Sequence, residues 1–226
     1  MRSLLHRLQE FRQRRHEEHS RAVWHRFRRE AWQLALQVRS QSMLHEETLL
    51  ALALRAQEAR GAVLEIGAYT GAATVMLAKG VEASGRASPV VTIEVGGAHD
   101  HPDLPSKDII ADLNATLARY GLSRRVTVVQ GRAAKVLKQV EPHLAGEKIG
   151  LLFIDADGLP ERDFAVYRPL LRDDAVVAID DYTVFEGEAK LKEDLTRPWV
   201  DAMVERGAMR PIGIYPWGTW FGRLTG

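Results

Sequence analysis

The chain has 226 residues, 46% of them hydrophobic, with 31 basic and 30 acidic side chains and a formal net charge of +1. That length and apolar share suffice to bury a full core in one domain with an appendage, which excludes a wholly disordered chain, and the balanced charge gives no reason to expect a nucleic-acid partner. With 0 cysteines there is no disulfide framework, thiolate nucleophile or cysteine-held metal.

From Met1 to about Gln41 the sequence is rich in arginine and histidine and free of glycine and proline. This start lacks the apolar core of a secretory signal, and no apolar run in the chain reaches the roughly 20 residues of a membrane span, so a soluble, cytoplasmic protein is expected. Trp24, Phe27, Ala31, Leu34 and Val38 recur at alternating steps of about three and four, which predicts a helix with one apolar stripe. Such a stripe packs on the main domain or on the same helix of a second copy, and a homodimer is the expected assembly. A basic amphipathic helix touching an anionic membrane is the competing reading. Ser42 to Arg60 reads as a second helix, with Glu46 and Glu47 near its start. Together these segments form an N-terminal helical extension over residues 1–60, ahead of a domain over 61–226.

After Gly61 short β-rich runs alternate with helical stretches. Strands are predicted at Ala62–Ile66, Val90–Glu94, Val126–Val129, Ile149–Asp155 and Ala175–Ile179. Helices fall between them, at Ala72–Lys79, about Lys107–Tyr120, around Ala133–Val140 and around Arg162–Leu171. Strict alternation of this kind argues for a parallel sheet covered on both faces. At the end, Arg210–Tyr215 and Thr219–Arg223 flank "PWG", as in an antiparallel hairpin. The expected fold is therefore α/β and Rossmann-like, a seven-stranded, mostly parallel sheet closed by that hairpin.

The segment "VLEIGAYTGAATVMLA" sets Glu65, Gly67 and Gly71 at a strand-to-helix junction, where open α/β sheets bind ligands and glycines let a backbone approach closely. A dinucleotide fingerprint needs a glycine where Glu65 stands, which speaks against a dehydrogenase. An acid there is a better partner for a cationic or amino-bearing ligand. The E-x-G-x-x-x-G loop resembles motif I of class I S-adenosylmethionine-dependent methyltransferases. Two further elements fit the resemblance: Glu94 ends the next strand, and "VVQGRAA" follows the third. The resemblance implies S-adenosylmethionine as cofactor, with Glu65, Gly67, Ala68, Tyr69 and Gly71 in the binding loop, Glu94 on the ribose and Gly131, Arg132 and Ala133 lining the adenine pocket.

"FIDADG" and "AVVAIDDY" bring Asp155, Asp157, Asp180 and Asp181 to the tips of the fourth and fifth strands, which end about 5 Å apart if they are neighbours. Four carboxylates so close repel one another, so their pKa values rise unless a cation is bound. Oxygen-only ligands suit a hard ion such as Mg²⁺ or Ca²⁺. The pair of motifs resembles metal-dependent O-methyltransferases of the catechol and caffeoyl-CoA type. Asp181 and Gly158 depart from that pattern and are similar instead to the macrocin O-methyltransferase group. That resemblance implies a divalent cation, Mg²⁺ or another, held by Asp155, Asp180 and Asp181, with Asp155 also beside the cofactor and Asp157 as catalytic base. It further implies a small-molecule substrate with adjacent hydroxyls, a sugar or a catechol-like phenol.

The remaining candidates have plainer readings. Tyr182, Thr183, Phe185, Trp199, Trp217 and Trp220 lie in segments flanking the site, where aromatic residues are more often core than substrate wall. Lys190 and Lys192 read as a solvated helix face rather than a lid. His99 and His101, in "GGAHDHPD", have no third ligand nearby and read as loop histidines, in a loop expected to fold over the ribose.

Overall fold

In the computed structural model the described residues are 25–156, 159–183 and 190–226, the side chains of Lys190 and Leu191 excepted. Seven strands form one sheet in the order β3-β2-β1-β4-β5-β7-β6. β1 (Ala62–Ile66), β2 (Val90–Glu94), β3 (Val126–Gln130), β4 (Ile149–Ile154) and β5 (Leu171–Ile179) are parallel, while β7 (Thr219–Leu224) runs antiparallel between β5 and β6 (Met209–Tyr215). The α/β architecture with antiparallel C-terminal strands is the one expected. The hairpin joins the β5 edge through its second strand, β7, which leaves β6 outermost.

Side-chain alternation sorts the core into two layers. Val63, Leu151, Phe153, Val176 and Ala178 face one way, under helix α1 (25–38), α2 (Glu46–Glu58), α3 (Ala72–Ala83) and α4 (Ile109–Arg119). Leu64, Leu152, Ile154 and Val177 face the other, with α5 (Leu137–Val140), α6 (Pro160–Tyr167) and α7 (Lys190–Glu205). Both faces of a parallel sheet are thereby covered, which is why its strands read as nearly continuous apolar runs.

The apolar stripe of α1 packs on its own domain. Phe27, Ala31, Ala35 and Val38 are buried in the same cluster as α2, α3 and the sheet, so residues 25–58 share one core with the strands. Trp24 and the arginine-rich segment before it lie outside the described residues. Among the described residues no helix is long and apolar enough to cross a membrane. α2 approaches α3 closely because Gly80 lacks a side chain: a Cβ there would lie 2.2 Å from the Ala53 carbonyl oxygen.

Two boundaries differ from expectation. Ser42–Arg60 is not one helix. A short 3₁₀ turn at Arg39–Gln41 ends α1, and α2 starts only after His45, whose side chain accepts from the Glu47 N–H at 3.2 Å as N-cap. Pro160–Tyr167 is followed by a 3₁₀ turn at Arg168–Leu170, and Leu171 already opens β5. Arg172, Asp173 and Asp174 look like a helix end because β5 bulges there: Leu171 pairs with Ile149 but the next pair is Val176 with Leu151, which leaves the three accessible.

Candidate active site at the carboxyl edge of the sheet

β1 turns into α3 through a loop that requires glycine. Gly67 has φ +91°, and a Cβ on it would lie 1.7 Å from the Asp155 carbonyl oxygen, so no side chain fits. The turn is pinned by Gly67 N–H donating to Ile93 O at 2.9 Å and Asp155 N–H donating to Ile66 O at 2.8 Å. Glu94, at the end of β2, accepts from Tyr69 N–H at 2.7 Å on one carboxylate oxygen and from Gly96 N–H at 3.0 Å on the other. Gly131 N–H donates to the Glu94 carbonyl at 2.9 Å, tying β3's exit to the same place. Around these groups lies a cavity of about 340 Å³ lined by Gly67, Tyr69, Glu94, Gly131, Arg132, Ala133 and Asp155.

Three residues expected in that wall are set behind it. Ala68 is buried, and Gly71 caps α3 against Leu113. Glu65 is fully buried beneath the loop, accepting from Thr74 Oγ1 at 2.5 Å and Thr92 Oγ1 at 2.7 Å through one oxygen. Its other oxygen has no hydrogen-bond partner among the described residues. Burial raises its pKa to about 7, against the two threonine hydrogen bonds that lower it and with a small further push from Glu94. A hint was present in the sequence, since Thr92 is the strand neighbour directly paired with Glu65.

The acids gather where β4 and β5 end. Ile154 pairs with Ile179, so Asp155 and Asp180 follow side by side, and Asp180 N–H donates to Ile154 O at 2.9 Å. Asp181 adopts φ +57°, a left-handed backbone uncommon outside glycine. Successive strand residues normally point to opposite faces. Here Asp155, Asp180 and Asp181 each offer an oxygen, all within 4.8 Å of one another. Burial, then the neighbouring Asp180 and Asp181 charges, hold Asp155 well above the usual carboxylate range. Burial and Asp181 raise Asp180 to about 6, against a hydrogen bond from the Thr219 hydroxyl that lowers it. Asp157 and Gly158 lie outside the described residues.

The match of a methyltransferase-domain family model to residues 64–182, from β1 through the aspartate pair, decides the family. The chain belongs to the methyltransferase-domain family. This methyltransferase-family chain is 35% identical over 171 residues to catechol O-methyltransferase of Mycobacterium tuberculosis, covering 74% of itself and 65% of that relative's length. In the cofactor-bound structure of Rv0187 from MTB, 25% identical, 88% of this chain matches 89% of the other with a TM-score of 0.61. The O-methyltransferase TomG from Streptomyces achromogenes, involved in tomaymycin synthesis and solved with SAM, shares the fold with a TM-score of 0.61 at 19% identity, over 88% of this chain and 90% of that one.

Other side chains complete the methyltransferase-family cleft. Lys192 is not on a solvated face: its Nζ lies 2.8 Å from Asp181 Oδ2, and it lines the cavity beside Asp155. Burial works against its charge, but the Asp181 hydrogen bond and the charges of Asp181, Asp155 and Asp180 carry its pKa upward. Lys190 begins α7, but its side chain lies outside the described residues, as does Phe185. The loop after β2 folds over the cavity: His99 bridges Ser106, the Tyr69 hydroxyl donates to the Leu104 carbonyl, and His101 Nδ1 accepts from Asp103 and Leu104 N–H at 3.1 and 3.2 Å. Neither histidine belongs to the carboxylate cluster.

Of the flanking aromatics, Trp220 is core and Tyr182 is buried with its hydroxyl donating to Asp201 at 2.7 Å. Trp199 packs tilted against Phe164, ring centroids 5.3 Å apart, and the Thr183 carbonyl abuts Gly218. Trp217 differs: it is exposed, left-handed at φ +66°, and wedged between Arg39 at 4.2 Å and His45 at 5.3 Å. Met43 and the buried Asp163 with its partner Arg162 also line the cavity, and sequence reasoning missed them, whereas His99 lines it from the loop expected to fold over the ribose. They come from elements that only the folded sheet brings together.

Proposed function

We propose that this chain is an S-adenosylmethionine-dependent O-methyltransferase acting on a small molecule with adjacent hydroxyls, a sugar or a catechol-like phenol, with a divalent cation such as Mg²⁺ bound at Asp155, Asp180 and Asp181. The observation that carries the reading is the continuity of the glycine-walled cavity with the aspartate cluster: Asp155 belongs to both. The named relatives, catechol O-methyltransferase and the SAM-bound TomG, support it.

The residues fit both groups. Gly67 lines the cavity and would present bare backbone to the donor, since the direction of its missing Cβ is taken by the Asp155 carbonyl. Each Glu94 oxygen accepts one loop amide and keeps a second lone pair for a ribose hydroxyl. Gly131, Arg132 and Ala133 would flank the adenine, with Gly131 held by Glu94 and Ala133 buried. Glu65 and Ala68, set behind the wall, would act by supporting the loop, and Gly71 by starting α3. The cluster's donors are all carboxylate oxygens, the chemistry of a hard divalent ion.

Methyl transfer breaks the donor's S–CH₃ bond, forms O–CH₃ and releases S-adenosylhomocysteine and the hydroxyl proton. A bound divalent ion would lower the pKa of the attacking hydroxyl and fix its approach. The chain's part is to hold the donor against Gly67 and Glu94 and to bring the acceptor to the carboxylates. Asp157, two residues beyond Asp155, would take the proton.

Titration calorimetry of the full chain separates this reading from a dinucleotide-binding one. S-adenosylhomocysteine is expected to bind and NAD is not; the reverse result overturns the reading. Catechol methylation with Mg²⁺ or with EDTA then tests the ion, whose removal is expected to stop turnover.

A further inference from the structure

Lys192 stands where a helix does not favour it. It lies in the first turn of α7, at the positive end of the helix dipole, where acids are stabilised and cations are not. Its position is explained instead by the aspartates, through the 2.8 Å contact with Asp181. The Asp181 backbone tells the same story, because φ +57° costs on the order of 1 kcal/mol or more and persists only where surrounding contacts hold it. The three carboxylates that share one space carry three negative charges when ionised. With the Lys192 ammonium the sum is minus two, the complement of one divalent ion.

We propose that Lys192 is the resident counter-cation of the aspartate cluster: it offsets the third carboxylate, holds Asp181 in place while no ion is bound, and sets the net charge to match one divalent cation. The proposal rests on the cation reading above. Lys192 therefore steadies the ligands and at the same time repels the arriving ion. Its side chain is 40% exposed, so it can shift off Asp181 without opening the core.

The test is Mn²⁺ binding to the full, metal-stripped chain without donor or acceptor, followed by electron paramagnetic resonance, beside thermal unfolding of the same ion-free proteins. Lys192→Met is expected to bind Mn²⁺ at least about tenfold tighter, the effect of removing one charge several ångströms from a divalent ion even at water's dielectric. Its ion-free Tm should fall by about 2–4 °C. Lys192→Arg should stay within about twofold in affinity, since it keeps the charge. Adding Asp181→Asn to Lys192→Met returns the sum to minus two, and asparagine tolerates the left-handed backbone, so the lost Tm should return.

Unchanged affinity and Tm in Lys192→Met would mean an incidental surface pair, and weaker Mn²⁺ binding would mean that Lys192 merely positions a ligand. A Tm loss that Asp181→Asn fails to restore would mean a packing role. Each of these overturns the proposal while leaving the cation site standing. A wild-type chain that binds S-adenosylhomocysteine but no Mn²⁺ overturns the cation reading, and the proposal with it.

Discussion

At the ends of β1 to β3 the Glu94 carboxylate is paired before any ligand arrives, with both its oxygens on backbone amides and Gly131 tied to the Glu94 carbonyl. At the ends of β4 and β5, a few ångströms away, three carboxylates crowd together beside one ammonium. The first region is shaped by backbone hydrogen bonds and positive-φ glycines. The second stores unbalanced charge and a left-handed aspartate. Shape and paired backbone groups can hold a donor in fixed orientation, whereas crowded carboxylates are relieved by protonation or by a cation. The contrast teaches that one sheet edge can be settled by hydrogen bonds in one half and crowded with carboxylates in the other.

The sharpest way to break that contrast is Asp155→Ala. It should lower metal-stimulated methylation by about a hundredfold or more, since it removes a proposed ligand of the ion. S-adenosylhomocysteine affinity, read by calorimetry, should change only a few fold. Comparable losses in both would merge the two regions into one. Glu94→Ala tests the other side. Removing charged hydrogen bonds worth about 1.5–3 kcal/mol should weaken S-adenosylhomocysteine by up to about a hundredfold and leave Mn²⁺ binding intact.

Glu65 probes the paired half from beneath. Its pKa is about 7 in the fold against 4.5 ordinarily, so the folded state binds the proton more tightly than the unfolded chain. Stability from this group is fully present below about pH 4.5 and is lost as pH rises through 7. Glu65→Gln should therefore gain about 2 kcal/mol relative to wild type between pH 5 and 8, measured by urea unfolding. A flat difference would show that Glu65 does not titrate there. The smallest effect belongs to Thr219→Val, which leaves Asp180 without its buried hydroxyl partner and should cost about 1 kcal/mol at neutral pH in the same measurement.

Much of this was legible in the sequence. Apolar runs and glycine breaks located the strands, and strands that end as neighbours must bring Asp155 and Asp180 together. Three things escaped. The polar Arg172–Asp174 run hid the start of β5, because a bulge in a strand is as wet as a helix end. Glu65 looked ligand-facing because charge in a strand suggests a surface, and only its register opposite Thr92 reveals a partner within the core. Lys192 gave no signal at all: its partner is eleven residues earlier, on another element, and periodicity along α7 says nothing about what lies beyond the helix end.

The insertion of β7 beside β5 bears on how the protein matures. The hydroxyl that steadies Asp180 belongs to Thr219, and the Gly218 carbonyl that receives the Tyr182 N–H at 3.0 Å stands next to it. Both are synthesised after every parallel strand of the sheet. A nascent chain halted before residue 218 would thus carry all three aspartates without the hydroxyl that braces Asp180. The Thr219 contact with Asp180 is in this way completed only once translation has passed the last turn.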